Sequence, residues 1–322
     1  MQLRYYAAAL LALTGLLPQA SSAQEYPTKP IRMIVPTPPG AGPDVDIRQM
    51  SNRLGALLGQ PIVVENRPGA AGRIAAEAVA KAAPDGYTML VGTPTALITG
   101  PFLYNNLPYD AKRDFAPVSL VSTTAYALTV NAQVPAKTAA QYAALAKSDP
   151  KFANAGTVGL GAATHLAGAW FSSVANADLK FIHYNTSTPY NDLLSGQISA
   201  IFEALLPVMG NVKAGRLRVL AVSGKQRHLL FPEVPTFIEA GYPTYDPMVW
   251  IGVLAPAGTP KAAVGKVSAA IAQVARVPEI IAQRRESVSE SVGNTPEEYA
   301  AFLDAERAKW GAVIKQTGVK ID

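Results

Sequence analysis

The chain has 322 residues, of which 49% are hydrophobic and 16% are charged, and Lys and Arg outnumber Asp and Glu by 28 to 23. This length and composition allow two domains with ordinary hydrophobic cores, and they exclude a disordered chain. The basic residues are scattered, with a single local cluster at 283–285, so the charge does not predict a nucleic-acid surface.

The N-terminal segment has the pattern of a secretory signal peptide. One early cation, Arg4, precedes an apolar run from Tyr5 to Leu17, and small residues stand at Ser21 and Ala23. An apolar run of this length is too short to cross a bilayer, which takes about 20 residues. We therefore expect cleavage after Ala23 and export of the mature chain.

Strand-like and helical segments alternate along the rest of the chain. Short runs of β-branched and apolar residues bounded by Gly, Pro or Asn predict strands, and apolar residues at helical spacing predict helices. In chain order these are a strand at Ile31–Pro36, a helix at Asp44–Leu58, a strand at Pro61–Asn66, a helix at Arg73–Ala83, a strand at Tyr87–Gly92, a helix at Thr138–Pro150, a strand at Arg216–Ser223 and a helix at Thr295–Gly318. The alternation predicts an α/β fold.

Two of these helices carry recognisable end signals. Asp44 is placed to act as the N-cap of the first helix, because its side chain can accept from free backbone N–H groups. The last helix opens with a capping box from Thr295 to Glu298, has Pro296 in its first turn, and ends at Gly318.

A turn rich in proline and glycine lies between the first strand and the first helix. It reads "VPTPPGAGPDVDIRQ", from Val35 to Gln49. Free N–H groups and the positive end of a helix dipole converge in such a turn, which predicts an anion site. The turn lacks the Lys-Ser/Thr ending of a phosphate-binding P-loop, and a second glycine turn at Gly159–Thr164 has only the first two glycines of a dinucleotide fingerprint.

The residues needed for covalent or metal chemistry are sparse. The chain has no cysteine, and its three histidines, His165, His183 and His228, lack metal-ligand spacing. No G-x-S-x-G motif is present, and a histidine at a helix start, such as His165, is more typical of a structural hydrogen bond than of an acyl-transfer triad. Backbone-rich loops without a reactive group favour binding over catalysis.

Blocks along essentially the whole mature chain carry a family resemblance. They include "LGQPIVVENRPGAAG", "GTVGLGAATHLAGAWF", "GRLRVLAVSGKQRHLLFPEVPTFIEAGYP" and "TPEEYAAFLDAERAKW". In this order they resemble the tripartite tricarboxylate transporter substrate-binding receptors, also called Bug receptors. The resemblance implies a periplasmic, two-lobed clamp of the type 2 binding-protein class, with the ligand in the cleft between the lobes and without enzymatic activity, cofactor or metal.

The resemblance also implies how the chain is divided and what it meets. We expect a signal peptide at 1–23, a first lobe formed by 24–125 plus 246–322, and a second lobe at 126–245. The expected partners are a small carboxylate and the membrane permease subunits of a tripartite transporter, with the receptor itself a monomer. A ligand sensor that presents a carboxylate to a signalling partner stays open as an alternative.

In this family the ligand carboxylate is held mainly by main-chain N–H groups and ordered water from two loops. By position, the loops are Thr37–Asp44 on the first lobe and Gly159–His165 on the second. The ligand-binding positions that the resemblance implies are Thr37, Pro39, Gly40, Ala41, Gly42, Asp44, Thr93, Gly159, Ala162, Ala163, Thr164, His165, Tyr184, Asn185, Thr186 and Asp192.

Departures from the family pattern bear on which acid is bound. Ala41 stands where the family has glycine, and Pro43 removes one backbone donor. Asn185 and Thr186 replace a cation and a glycine, and Arg73 stands where the family has a small polar residue. These changes predict a mono- or dicarboxylate, aliphatic or aromatic, ahead of a tricarboxylate, because burying uncompensated charge is costly.

Several of these side chains also have a purely structural interpretation. Arg73 fits a surface cation, Trp250 fits a core residue, and Asp192 fits a cap or an ion-pair partner. Glu203 would repel a carboxylate, so we expect it to face away from the ligand unless the ligand offers a donor.

Overall fold

The computed structural model describes residues 26–184 and 189–321 of the chain. The strands are β1 (Ile31–Val35), β2 (Ile62–Asn66), β3 (Thr88–Gly92), β4 (Phe115–Asn131), β5 (Asn154–Thr157), β6 (Lys180–His183), β7 (Ala200–Ala204), β8 (Leu217–Val222), β9 (Met248–Pro256) and β10 (Glu290–Ser291). The helices are α1 (Gly42–Leu58), α2 (Arg73–Ala80), α3 (Gly100–Leu103), α4 (Ala139–Ser148), α5 (Ala163–Val174), α6 (Tyr190–Ser195), α7 (Met209–Lys213), α8 (Lys261–Ala275), α9 (Pro278–Glu286) and α10 (Pro296–Thr317).

The elements that the sequence predicts are present, with ends shifted by a few residues. The prediction that Asp44 caps α1 is wrong: the helix begins at Gly42, and Ala41 is its N-cap residue without a side-chain cap. Pro43 explains the earlier start, because proline fits the first turn of a helix. The capping box of α10 is confirmed, since Thr295 and Glu298 each accept from the other's backbone N–H.

The first part of the sheet is built around parallel pairing. β1 lies between β2 and β3 and is parallel to both, and β9 then joins β3 to β4 by antiparallel pairing. The carboxyl ends of β1, β2 and β3 therefore meet at one edge. Helices α1 and α8 cover this region, and their apolar side chains form one core cluster with the strands.

The second part of the sheet pairs with the far end of β4. β7 and β8 are antiparallel to β4, and β5 lies between β7 and β6, parallel to both. β4 pairs with β9 up to Ala125, and from Tyr126 onward it pairs with β7. One long strand thus belongs to both parts of the sheet.

The C-terminal helix α10 packs against α5, which follows β5 in the second part of the sheet. The rings of Trp310 on α10 and Trp170 on α5 lie 5.6 Å apart, and Gln316 donates to the Ser173 hydroxyl over 2.8 Å. Glu306 accepts from the indole N–H groups of both Trp310 and Trp250, which is fully buried. The prediction that Trp250 is a core residue is confirmed.

A buried ion pair holds α1 against α9. The Arg284 guanidinium contacts the Asp46 carboxylate, and it also donates to the Asp46 backbone oxygen over 3.0 Å. Ser122 on β4 donates to the same carboxylate. Both charges are buried, so their mutual attraction and these hydrogen bonds must offset the cost of removing the two charges from water.

None of the helices within residues 26–184 and 189–321 is long and apolar enough to cross a membrane. The segment expected to be a signal peptide, 1–23, lies outside the described residues and stays a prediction.

Candidate functional site

Loops at the carboxyl edge of β1, β2 and β3 face a loop from the second part of the sheet. The first group comprises 36–38, 68–72 and 93–95, and the opposing loop is 158–163. Between them lies an open cavity of about 600 Å³, a size that suits a small-molecule ligand. Ligands in α/β sheets bind at this kind of edge, beyond the carboxyl ends of the strands.

The cavity lining is apolar or neutral. Among the lining residues in the described part of the chain, none has a charged side chain. Four prolines, Val249, and the rings of Tyr104 and Tyr126 form much of the wall. Val158 and Leu160 are 40% and 48% exposed at its edge, which is unusual for such side chains and leaves apolar surface available to a ligand.

A polar cluster behind the first loop fixes its shape. The buried Asp44 carboxylate accepts from the Gly40 N–H, the Asn66 amide and the Arg48 guanidinium, each over 2.8 Å. Asn66 also donates to the Thr37 carbonyl over 2.9 Å. Burial alone would raise the pKa of Asp44, but these hydrogen bonds outweigh it and lower the pKa below its usual value. Asp44 is thus engaged as a brace of the loop.

Thr37 and Pro38 are the residues of the 37–44 loop that line the cavity. The Thr37 side-chain oxygen is buried and has no hydrogen-bond partner within the described residues. Pro39, Gly40, Ala41 and Gly42, which the sequence places in the same site, are not among the lining residues. A buried hydroxyl without a protein partner calls for water or a ligand group as its partner.

The opposing loop is braced in a similar way by side chains that follow it. The Val158 N–H donates to Thr164 Oγ1 over 3.1 Å, and the Gly161 N–H donates to His165 Nδ1 over 3.0 Å. Thr164 and His165 are buried, and neither lines the cavity. Their side chains shape the loop, whereas Gly159, together with Ala162 and Ala163, forms its surface.

Glycine is required at Gly161. Its φ of +70° lies in the left-handed region, and a Cβ there would come within 2.2 Å of Ile321 Cδ1. The residues after α10 therefore pack directly beneath this loop.

The N-terminus of α5 opens onto the cavity. Ala162, the N-cap residue, lines the cavity and accepts the first helical hydrogen bond from Leu166. The N–H groups of Ala163, Thr164 and His165 precede that bond, so they have no acceptor within the helix. Together with the positive end of the helix dipole they form a site suited to an anion.

His165 is held neutral at the base of this loop. Burial, and then the neighbouring His183, lower its pKa to about 4. The two imidazole rings lie 4.7 Å apart, and Thr157 shares a hydrogen bond of 2.9 Å with His183 Nδ1. A neutral ring is what the geometry requires, because Nδ1 accepts the Gly161 N–H.

The remaining predicted positions lie elsewhere or outside the described residues. Tyr184 donates to Asp192 over 2.6 Å, and burial together with this carboxylate raises the pKa of Tyr184 to about 12. Neither residue lines the cavity. Asn185 and Thr186 lie outside the described residues. Thr93 lines the cavity on the β3 side.

The structure also locates Arg73 and Glu203, two charged residues for which the sequence offered both a structural and a ligand-binding interpretation. The Arg73 guanidinium stacks on the Tyr104 ring, 4.0 Å from its centroid, and does not line the cavity. Burial raises the pKa of Glu203 to about 7, while a hydrogen bond with Tyr190 acts in the opposite direction. Glu203 is not a lining residue either. Within the described part of the chain, no three His, Asp or Glu side chains form a metal-binding group.

Sequence reasoning missed part of the cavity wall. The turn 68–72, Tyr104, Tyr126 and Val249 line it but were not among the predicted site residues. The turn at 68–72 did carry a usable sequence signal. It follows β2, which is parallel to β1, so it must reach the same edge of the sheet as the loop after β1.

The neutral state of His165 predicts a pH dependence of stability. Below pH 6.5 the unfolded chain protonates this histidine, while the folded chain resists protonation down to about pH 4. The free energy of unfolding should therefore be undiminished above pH 6.5 and fall by on the order of 1 to 3 kcal/mol as the pH drops to 4. His165→Asn keeps an acceptor for Gly161 and should flatten this decline in chemical denaturation.

His228→Asn is the matched control, because His228 Nδ1 accepts a loop N–H as well. Burial also lowers the pKa of His228, but Glu290 opposes the shift, so we expect a smaller change. A decline of the same size in wild type and His165→Asn would contradict the assignment.

Known proteins resemble this chain over nearly its whole length. The family described as "Tripartite tricarboxylate transporter family receptor" matches residues 47–319. The protein BugT of Bordetella pertussis is 34% identical over 302 residues, which is 93% of this chain and 93% of BugT.

Solved structures agree with the family match. The R. palustris protein Rpa4515, solved with adipate, is 30% identical, with a TM-score of 0.81 over 92% of this chain and all of that one. MatC of Rhodopseudomonas palustris, with bound malate, is 26% identical, with a TM-score of 0.76 over 90% of this chain and all of that one. The fold is the two-lobed α/β clamp of periplasmic binding proteins. The chain belongs to the tripartite tricarboxylate transporter receptor family.

Proposed function

We propose that this protein is a periplasmic receptor that binds a mono- or dicarboxylate, aliphatic or aromatic, and delivers it to the membrane subunits of a tripartite transporter. The observation that carries the proposal is the cavity between the two loops, with the α5 N-terminus at one wall and neutral side chains elsewhere. Such a site can hold an anion without any catalytic group.

One carboxylate is held at the start of α5. The free N–H group of Ala163, which lines the cavity, donates to its oxygens, and the positive end of the α5 dipole behind it adds about 0.3 to 2 kcal/mol. Thr37 on the opposite loop supplies a hydroxyl that has no partner among the described residues. Ordered water completes the shell at little entropic cost.

The neutral lining limits how much charge the site accepts. A tricarboxylate would bring further negative charge against prolines, valines and leucine, and the described lining residues include no cation to balance it, which is costly. Two relatives were solved with adipate and with malate, both dicarboxylates. These ligands support a dicarboxylate here, with its second carboxylate near the open mouth of the cavity.

Capture and release follow from movement of two lobes, formed by 24–125 plus 246–322 and by 126–245. The change of β4 partners at Ala125 and Tyr126 supports the first boundary. A hinge in these connecting strands would close the cleft on the ligand. A signalling partner in place of a permease would use the same clamp, and the absence of turnover with any bound acid would set both apart from an enzyme.

A thermal-shift panel of mono-, di- and tricarboxylates tests the proposed ligand class. A bound acid at 100 times its Kd should add about 2.7 kcal/mol to the free energy of unfolding. We expect stabilisation by adipate or another diacid, or by an aromatic acid, and none by citrate at the same concentration. Stabilisation by citrate alone would contradict the proposed class.

The proposed role of Thr37 is tested by Thr37→Val, which removes the hydroxyl and keeps the shape. If the hydroxyl donates to a carboxylate, calorimetry should show binding weakened by about 1.5 to 3 kcal/mol. Thr99→Val is the matched control, because Thr99 Oγ1 is also buried without a partner in the described chain but lies away from the cavity lining. Equal affinity in the two variants would remove Thr37 from the site.

A further inference from the structure

The turn after β2 has an unusual backbone where it forms the cavity wall. Residues Gly69, Ala70, Ala71 and Gly72 all have positive φ, with 46° and 55° at the two alanines. Alanine rarely adopts this region, and such conformations persist only where the surroundings hold them. Gly69, Ala71 and Gly72 line the cavity, so whatever holds this turn also shapes the ligand site.

Arg73 holds the turn from behind. Its Nε donates to the Ala70 carbonyl over 2.9 Å. Its guanidinium lies 4.0 Å from the centroid of the Tyr104 ring, in the range of a cation–π contact. One side chain therefore contacts both the turn and the ring, and residues of the turn and Tyr104 line the cavity, whereas Arg73 is not a lining residue.

We infer that Tyr104 is a specificity-determining residue that contacts the apolar body of the ligand, and that Arg73 is the positioning residue that holds Tyr104 and the 69–72 turn as one wall. This inference rests on the proposed function. It also refines the ligand class to acids that carry a hydrocarbon chain or a ring.

The opposing loop offers a second apolar surface for that body. Val158 and Leu160 line the same cavity and are 40% and 48% exposed. A chain or ring between them and the Tyr104 ring would be withdrawn from water on both sides. Each methylene buried in this way strengthens binding about fourfold. Longer diacids should therefore bind more tightly than short ones, up to the length that fills the cavity.

Calorimetry with succinate, glutarate and adipate tests the role of Tyr104. Wild type should bind adipate at least tenfold more tightly than succinate. Tyr104→Ala should reduce this ratio by about tenfold, because the gain with chain length depends on burial of the added methylenes against the ring. Tyr104→Phe keeps the ring and should retain the ratio. An unchanged ratio in Tyr104→Ala would overturn the inference.

Arg73→Gln tests the positioning role, with Lys81→Gln as the matched loss of a cation at the other end of the same helix. We expect Arg73→Gln to lower the adipate-to-succinate ratio at least threefold, Arg73→Lys to restore most of it, and Lys81→Gln to leave it unchanged. Citrate binding that is lost in Arg73→Gln would instead put the cation inside the site and overturn the inference.

Acid binding by the wild-type protein distinguishes failure of the proposed function from failure of this inference. Wild type that binds none of the acids tested would overturn the proposed function and this inference with it. Wild type that binds diacids without any preference for chain length would overturn this inference and leave the proposed function standing.

Discussion

The long strand β4 is the constraint on which the rest of the structure depends. Its first part pairs with β9, and from Tyr126 onward it pairs with β7 and β8, so both parts of the sheet share one continuous backbone. This shared strand sets the distance between the loops that follow β1 and the loop that precedes α5. Tyr126 stands at the change of partners and lines the cavity. The floor of the ligand site is thus built from the same residues that join the two parts.

The charged and strongly polar side chains near the site hold the loops in shape and do not line the cavity themselves. Asp44 and His165 accept backbone N–H groups within the two loops and so fix the loop shapes. The residues that line the cavity are glycines, alanines, prolines, threonines, tyrosines, valines and a leucine. Binding of an anion by oriented amides requires little rearrangement, because the helix that supplies them is already formed. The same design keeps the cost of desolvating the site low, since none of the lining residues that the structure describes has a charged side chain.

Sequence patterns predicted part of the regular structure and the position of the two loops, but they missed β4, β5, β7 and β9 and did not give the roles of individual side chains. Apolar residues at helical spacing and helix-end residues predicted α1, α2, α4 and α10, because both signals depend on residues that are close together in the sequence. The cap at Asp44 failed because Pro43 lets the helix start earlier. The side chains of Thr164 and His165 accept hydrogen bonds from the loop amides of Val158 and Gly161, a role that local patterns do not predict. Tyr104 and Val249 could not be found, since their place at the cavity follows from long-range pairing that local patterns do not contain.

The central claim is that free amides at the start of α5 hold the ligand carboxylate. Amide NMR spectra recorded during titration with the tightest-binding diacid measure this directly. The account predicts that the largest shifts fall on the N–H groups of Ala163, Thr164 and His165, with smaller changes in the 36–38 loop. Shifts confined to residues away from these two loops, with the α5 amides unmoved at saturation, would contradict it.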